Sequence, residues 1–300
     1  MSRPAGFPLA SRGWARAAAA LLLCLAGLLG VSWAAGSIMT RGGHAAVPAA
    51  KPPAVDFHLM TADGKRLAAT YRPGRTGRSP AVLHLHGVKA SRQASAANAA
   101  WLARLGYASL AIDFRGHGES DLDRRSFGLR EARDADAAFR WLKRRQRGSA
   151  VAVIGTSLGG AAGLLGDRGP LPAEAMVLQA VYPDIRRAIR NRIAARLGLP
   201  AATLLEPLLS FQSLPRFGVP PSRLSPLRAL RRYRGPVLVI GGLDDRYTPA
   251  AETKALYGQA SPRSELWLVP GIGHAGIGDL ADEAYRLRLK LFLERTIGSP

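Results

Sequence analysis

One short stretch, "VAVIGTSLGG" from Val151 to Gly160, constrains this chain more than any other. Val151 to Ile154 is a run of β-formers, and from Leu158 onward the chain is an Ala/Gly/Leu helix. A strand that passes into a helix through a single residue forces that residue into a strained conformation. Small neighbours are needed for the two elements to approach each other. The residue at the corner is Ser157, in the pattern Gly155-Thr156-Ser157-Leu158-Gly159. Its hydroxyl is predicted to stand exposed at the strand's C-terminal end, beside a helix N-terminus whose free N–H groups favour a developing negative charge. The plainer reading is a glycine-rich turn with a polar residue in it. The rest of the chain decides between the two by supplying, or failing to supply, a base, an acid and an oxyanion hole.

From Val55 onward, strands alternate with helices. Val55 to Met60 and Arg66 to Tyr71 flank Ala62-Asp63-Gly64 as a hairpin, and Ala81 to Leu85 is a buried strand ending at His86-Gly87. A helix from Ala96 to Leu105 stops at Gly106. A strand from Tyr107 to Asp113 comes next, then a helix from Leu129 to Arg147 with Ala132, Ala135, Phe139 and Leu142 on one face. Further strands are expected at Ala175 to Ala180, Pro236 to Gly241 and Glu265 to Val269, with a last helix from Asp282 to Arg295. Repeated βα units imply a mostly parallel, doubly wound sheet covered on both faces. The segment 184–234 breaks the alternation with prolines and apolar helical stretches but no strand. It is predicted to form a helical cap over the C-terminal edge of the sheet.

The N-terminus carries a different signal. Arg3, Arg12 and Arg16 precede an uncharged run from Ala17 to Ile38. Residues 1–38 are expected to be either a signal peptide, with Ser32-Trp33-Ala34 supplying small residues for cleavage, or a single membrane anchor. Leu21-Leu22-Leu23-Cys24 lacks the small residues that a lipoprotein signal needs. Either accepted reading puts the remainder outside the cytoplasm, anchored or released, with the basic residues left inside. Residues 39–54, rich in Gly, Ala and Pro from Arg41 on, read as a linker to a domain spanning 55–300.

A formal charge of +21 invites a nucleic-acid partner, but Arg outnumbers Lys 36 to 6 and Ala, Gly and Pro are abundant as well. That is the usage of a GC-rich genome, and no basic motif interleaved with aromatics is present, so no nucleic-acid partner is expected. A single cysteine, Cys24, excludes an internal disulfide. No His and carboxylate spacing suits a metal, and neither metal nor cofactor is expected.

Open α/β sheets bind ligands beyond the C-termini of their strands. Polar residues just after strands therefore carry the chemistry: His84-Leu85-His86-Gly87, then Ser157, then Asp244 and Asp245, then His274 within Pro270-Gly271-Ile272-Gly273-His274. The order Ser, Asp, His fits a hydrolase in which a carboxylate orients an imidazole and the imidazole takes the serine's proton. His84 and His86 are expected to shape the loop through hydrogen bonds, and His117 and Asp113 to hold a turn. His44 and His58 are expected to be inert.

The same residues carry a resemblance. His84 to Gly87, Asp113-Phe114-Arg115-Gly116-His117-Gly118-Glu119-Ser120, Gly155 to Gly160, Gly242-Leu243-Asp244-Asp245-Arg246-Tyr247-Thr248-Pro249 and Gly271 to His274 stand in the order of the α/β-hydrolase superfamily. The chain from residue 55 to 298 is similar to its bacterial membrane-anchored or secreted members in the serine aminopeptidase and lysophospholipase-like branch. The resemblance implies an α/β-hydrolase fold with Ser157 as nucleophile, Asp245 as acid and His274 as base. The family spacing, four residues before Pro249, selects Asp245 over Asp244. The backbone N–H groups of Val88 and Leu158 would form the oxyanion hole, although the loop His86-Gly87-Val88-Lys89-Ala90-Ser91 departs from the family's glycine-rich form.

The expected activity is hydrolysis of a carboxylic ester or thioester through an acyl-enzyme. An aminopeptidase would need an acid to hold the substrate's ammonium group, and the cap offers only Asp184 and Glu206. A non-catalytic scaffold of the same fold is the reading from another class. Between Arg186 and Arg234 stand eleven arginines and one acid, which fits either a solvated face or a cap that meets an anionic membrane surface.

Overall fold

The computed structural model describes residues 10–300; Arg3 lies outside the described residues, and only the backbone placement of Arg12 is described. In chain order the elements are α1 (Ala10–Thr40), β1 (Val55–Met60), β2 (Arg66–Arg72), β3 (Ala81–Leu85), α2 (Ala96–Leu105), β4 (Ala108–Ile112) and α3 (Glu131–Arg145). Then come β5 (Val151–Thr156), α4 (Leu158–Leu164), β6 (Ala175–Gln179), α5 (Ile185–Ser210), α6 (Ser213–Phe217) and α7 (Pro226–Leu230). The chain closes with β7 (Val237–Gly242), α8 (Ala250–Tyr257), β8 (Glu265–Val269), α9 (His274–Gly278) and α10 (Glu283–Ile297).

The eight strands form one sheet in the order β1-β2-β4-β3-β5-β6-β7-β8. The β1–β2 and β2–β4 pairs are antiparallel, and every later pair is parallel. Side chains alternate across a strand, so each buried strand feeds two cores. Leu83, Leu85, Val153, Leu178 and Val239 point to the face covered by α3, α4 and α8, through Phe139, Leu142, Ala162 and Leu256. Val82, Ala152, Ile154, Val177 and Ile240 point to the opposite face, covered by α2 and α10 through Leu102, Leu289, Phe292 and Leu293. With both faces buried, the central strands are continuous apolar runs, which is why the sequence located them closely.

Helix ends obey local chemistry. Asp282 caps α10 by accepting the Tyr285 N–H at 2.8 Å, and Gly106 ends α2 in the left-handed conformation with φ 101°. The cap is less regular than its sequence suggests. Asp184 caps the start of α5 by accepting the Arg187 N–H at 2.9 Å, and the helix then breaks at Gly198, where φ is 82° and Pro200 starts the second half. Ile185, Ala188, Ile189 and Leu224 of the cap pack on Ala161 and Leu165 of α4 and its C-terminal end, with Met39 of α1 against the same cluster.

The stretch from Arg41 to Ala54 forms no helix or strand, yet its backbone is pinned to the body. Gly43 and Ala45 donate to Gly116 and Gly118 carbonyls at 3.0 and 2.9 Å, and Arg125 donates to the Thr40 carbonyl at 2.8 Å.

Candidate active site

Ser157 sits at the corner between β5 and α4 with φ 48° and ψ −106°, a conformation that side chains avoid. Three glycines make this corner possible. A Cβ on Gly155 would stand 2.5 Å from the Gly160 nitrogen, one on Gly159 would overlap the Leu85 carbonyl oxygen, and one on Gly160 would overlap the Val181 side chain. The Ser157 N–H donates to Gln179 O at 2.8 Å, which prolongs the ladder to β6 past the end of β5, and its carbonyl accepts the first turn of α4 from Ala161. The serine side chain is thereby fixed at the end of β5 with 5% of the residue exposed.

The loop after β7 brings up a carboxylate. Asp245 is buried, while Asp244 beside it is exposed. Asp245 Oδ1 accepts the backbone N–H groups of Tyr247 and Thr248, both at 2.8 Å, which leaves Oδ2 to meet His274 Nδ1 at 2.7 Å. His274 opens α9, and the Cβ position of Gly278, at the end of that short helix, lies 3.4 Å from Thr156 Cγ2. The imidazole-bearing helix therefore borders the serine corner. The structure pairs Asp245 with His274, and among the described residues no hydrogen bond joins Ser157 Oγ to His274.

The loop after β3 closes the third side. Gly87 to Ala90 forms a turn with Ala90 N donating to Gly87 O at 3.3 Å and with Lys89 at φ 63°, the positive angle that a type II turn requires. A Cβ on Gly87 would lie 3.9 Å from Ser157 Cβ, so this turn stands next to the serine. The Val88 N–H, second in the turn, and the Leu158 N–H, first in α4, take no hydrogen bond among the described residues.

His86 holds this loop in place. Its Nε2 accepts the Phe114 N–H at 3.0 Å, so its proton lies on Nδ1, which donates to Gly87 O at 2.7 Å. Burial pushes the His86 pKa down to about 4, and the ring stays neutral at pH 7. His84, also buried and lowered to about 4, leaves its Nε2 without a partner and takes no part in the site. His117 turns its Nδ1 to the Arg115 carbonyl at 3.0 Å, and burial lowers it to about 3.

Three features escaped sequence reasoning. Arg92 is buried against Asp113 and donates to Glu119 Oε2 at 2.5 Å, bolting the loop after β3 to the turn after β4. With arginine so abundant, nothing in the sequence marks this one. Asp113 also accepts the Glu119 N–H at 3.0 Å. Tyr247 packs its ring edge-on to His274 with centroids 5.6 Å apart, and Arg192 of the cap stands 5.1 Å from the Tyr247 ring centroid. The signal for Tyr247 was its place two residues after Asp245; Arg192 had none. Among the described residues, no His, Cys, Asp or Glu cluster could hold a metal ion.

The serine corner, the Asp245–His274 pair and the Val88 and Leu158 N–H groups stand at strand ends of a doubly wound sheet, and the comparisons point to a hydrolase. The family model for serine aminopeptidase, S33, matches residues 78–214. An uncharacterized protein of Mycobacterium tuberculosis is 32% identical over 228 residues, covering 74% of this chain and 73% of that protein. An esterase of Pyrococcus furiosus superimposes with a TM-score of 0.67 at 22% identity, over 86% of this chain and 99% of that one. The α/β hydrolase GrgF of a Penicillium species superimposes with a TM-score of 0.60 at 21% identity, over 82% of this chain and 99% of that one. The chain belongs to the α/β-hydrolase superfamily and is a hydrolase.

Proposed function

We propose that the protein is a serine hydrolase that cleaves a carboxylic ester or thioester of a small molecule. His274 Nε2 takes the proton of Ser157 Oγ as the serine attacks the acyl carbonyl. The Val88 and Leu158 N–H groups receive the oxyanion, and Asp245 stabilises the imidazolium. His274 then protonates the leaving alcohol or thiol. Water, deprotonated by the same imidazole, releases the acid from Ser157. The observation that carries this reading is the 2.7 Å Asp245–His274 bond beside a serine held at positive φ. Ser157→Ala tests it: p-nitrophenyl ester turnover should fall by several powers of ten with folding intact, and unchanged turnover would refute it.

The ester preference draws support from the two cap acids. Asp184 caps α5, and Glu206 is held by Arg186 through bonds of 2.9 and 2.8 Å, so neither is free for a substrate ammonium group. One observation favours an amide hydrolase of aminopeptidase type. Glu252 of α8, held at Oε1 by Asn191 of the cap, has a buried Oε2 with no partner. Aminoacyl anilides against p-nitrophenyl esters separate the two readings. The enzyme is proposed to act outside the cytoplasm, tethered by α1 or released after its cleavage, with an anionic membrane surface as neighbour.

A further inference from the structure

Helix α1 is long and apolar enough from Gly13 to Thr40 to cross a membrane. Two exposed tryptophans stand near the ends of its apolar run, Trp14 just before Arg16 and Trp33 five residues before Ile38. They stand 19 residues apart, about 28 Å at 1.5 Å per residue. That separation matches a hydrocarbon core of about 30 Å, and tryptophan at both ends is the pattern of an interfacial belt. A cleaved leader has no use for the second belt, nor for the polar contacts that α1 makes beyond it.

The turns of α1 from Ser32 to Thr40 are built into the cap. Ser32 Oγ donates to Leu208 O at 2.9 Å, and Gln212 Nε2 donates to Ser32 O at 2.9 Å. Arg216 donates to Trp33 O at 2.7 Å and to Ser37 Oγ at 3.0 Å, and its guanidinium lies 3.8 Å over the Trp33 ring. Gly36 is the close-approach point, because a Cβ there would overlap Gln212 Oε1. Gln212 and Arg216 of the cap therefore meet α1 at Ser32 and Trp33, the end of the helix that an interfacial belt would mark.

Beside those contacts the cap exposes apolar side chains: Leu204, one turn before Leu208, is 70% exposed, and Phe211 and Leu214, flanking Gln212, are 54% and 55% exposed. Held beside α1, these exposed apolar side chains suit a lipid neighbour, and the surrounding arginines suit anionic headgroups.

We propose that α1 is a retained anchor whose last turns hold the cap in the bilayer interface, with Leu204, Phe211 and Leu214 seated in lipid. Resting on the hydrolase reading, this names the substrate class: an acyl ester drawn from the membrane rather than from solution. The full chain, with Cys24→Ser, is reconstituted in vesicles of phosphatidylcholine and phosphatidylglycerol. Spin labels are placed at L204C, F211C or L214C, with a control at G77C in the loop before β3. The three cap labels should collide with oxygen more than with a water-soluble nickel complex, and the Gly77 label should do the reverse. Nickel-dominated collisions at all three cap positions would overturn the proposal, as would a cell-derived protein whose N-terminus begins at residue 35.

An activity arm uses Leu204→Gln, Phe211→Ser and Leu214→Gln together. Turnover of soluble p-nitrophenyl acetate should stay within about two-fold, while turnover of a long-chain p-nitrophenyl ester in vesicles should drop about ten-fold or more. Equal loss on both would count against the lipid surface. A parent enzyme inactive on both esters would strike the hydrolase reading alone, and the label collisions would still decide the surface.

Discussion

Asp245→Asn changes one atom at the point where the structure is most specific. Asp245 Oδ1 accepts two backbone N–H groups and Oδ2 meets His274 Nδ1. In the variant, the amide oxygen keeps the two backbone donors, since the NH2 group cannot accept them. The NH2 group then faces His274 Nδ1. Donor cannot face donor, so the imidazole moves its proton from Nδ1 to Nε2, and the nitrogen proposed to serve Ser157 can no longer take a proton. A wrong tautomer of this kind costs about 10⁴-fold in kcat, or about 5.5 kcal/mol of transition-state stabilisation. Stability should barely change, because the loop keeps its bonds. Asp244→Asn alters an exposed side chain and should leave kcat within about two-fold. Steady-state kinetics on p-nitrophenyl esters, with urea unfolding of both variants, measures all of this. If Asp244→Asn proves the more damaging, or if Asp245→Asn loses activity only by unfolding, the tautomer argument is wrong.

Three further outcomes rest on the same geometry. His84 is lowered by burial to about 4 from an ordinary 6.5, so its neutral form contributes stability that is complete above pH 6.5 and is lost as pH falls toward 4. His84→Leu should flatten the stability–pH curve in that window by up to about 1.4 kcal/mol per pH unit, and an unchanged slope in urea titrations would rule out a neutral buried ring. Gly159→Ala drives a methyl group into the Leu85 carbonyl and should lower stability by about 1–3 kcal/mol along with activity; a thermal midpoint equal to the parent's would contradict the close approach. Arg92→Met removes the cation shared by Asp113 and Glu119 and leaves Asp113 buried without its charge partner, which should destabilise by about 3–5 kcal/mol. Denaturant unfolding that finds less than about 1 kcal/mol would dismiss the bolt.

Much of the architecture was legible because parallel strands buried on both faces leave unbroken apolar runs, such as Ala81–Leu85 and Val151–Thr156. Ser157, Asp245 and His274 each follow a strand, so the sequence placed all three at one sheet edge, where the structure pairs Asp245 with His274. The serine corner was legible for a steric reason: only glycine fits at 155, 159 and 160. The cap resisted because its periodicity is broken by Gly198 and by prolines within one 26-residue helix, α5. The docking of α1 was invisible, since Ser32 and Gln212 meet across 180 residues through polar side chains that no local pattern marks. The segment after α1 looked featureless because its bonds go to the turn after β4, through glycine carbonyls that any sequence could offer.

A fluorophosphonate probe tests Ser157 as the acyl carrier most directly, because it reacts far faster with a serine already activated by its histidine than with any other hydroxyl. Intact-mass and peptide mapping of the labelled full chain should find one adduct, on the peptide containing Ser157, lost in Ser157→Ala and strongly slowed in Asp245→Asn. A folded protein that takes up no label, or that carries it on another residue, would contradict the account.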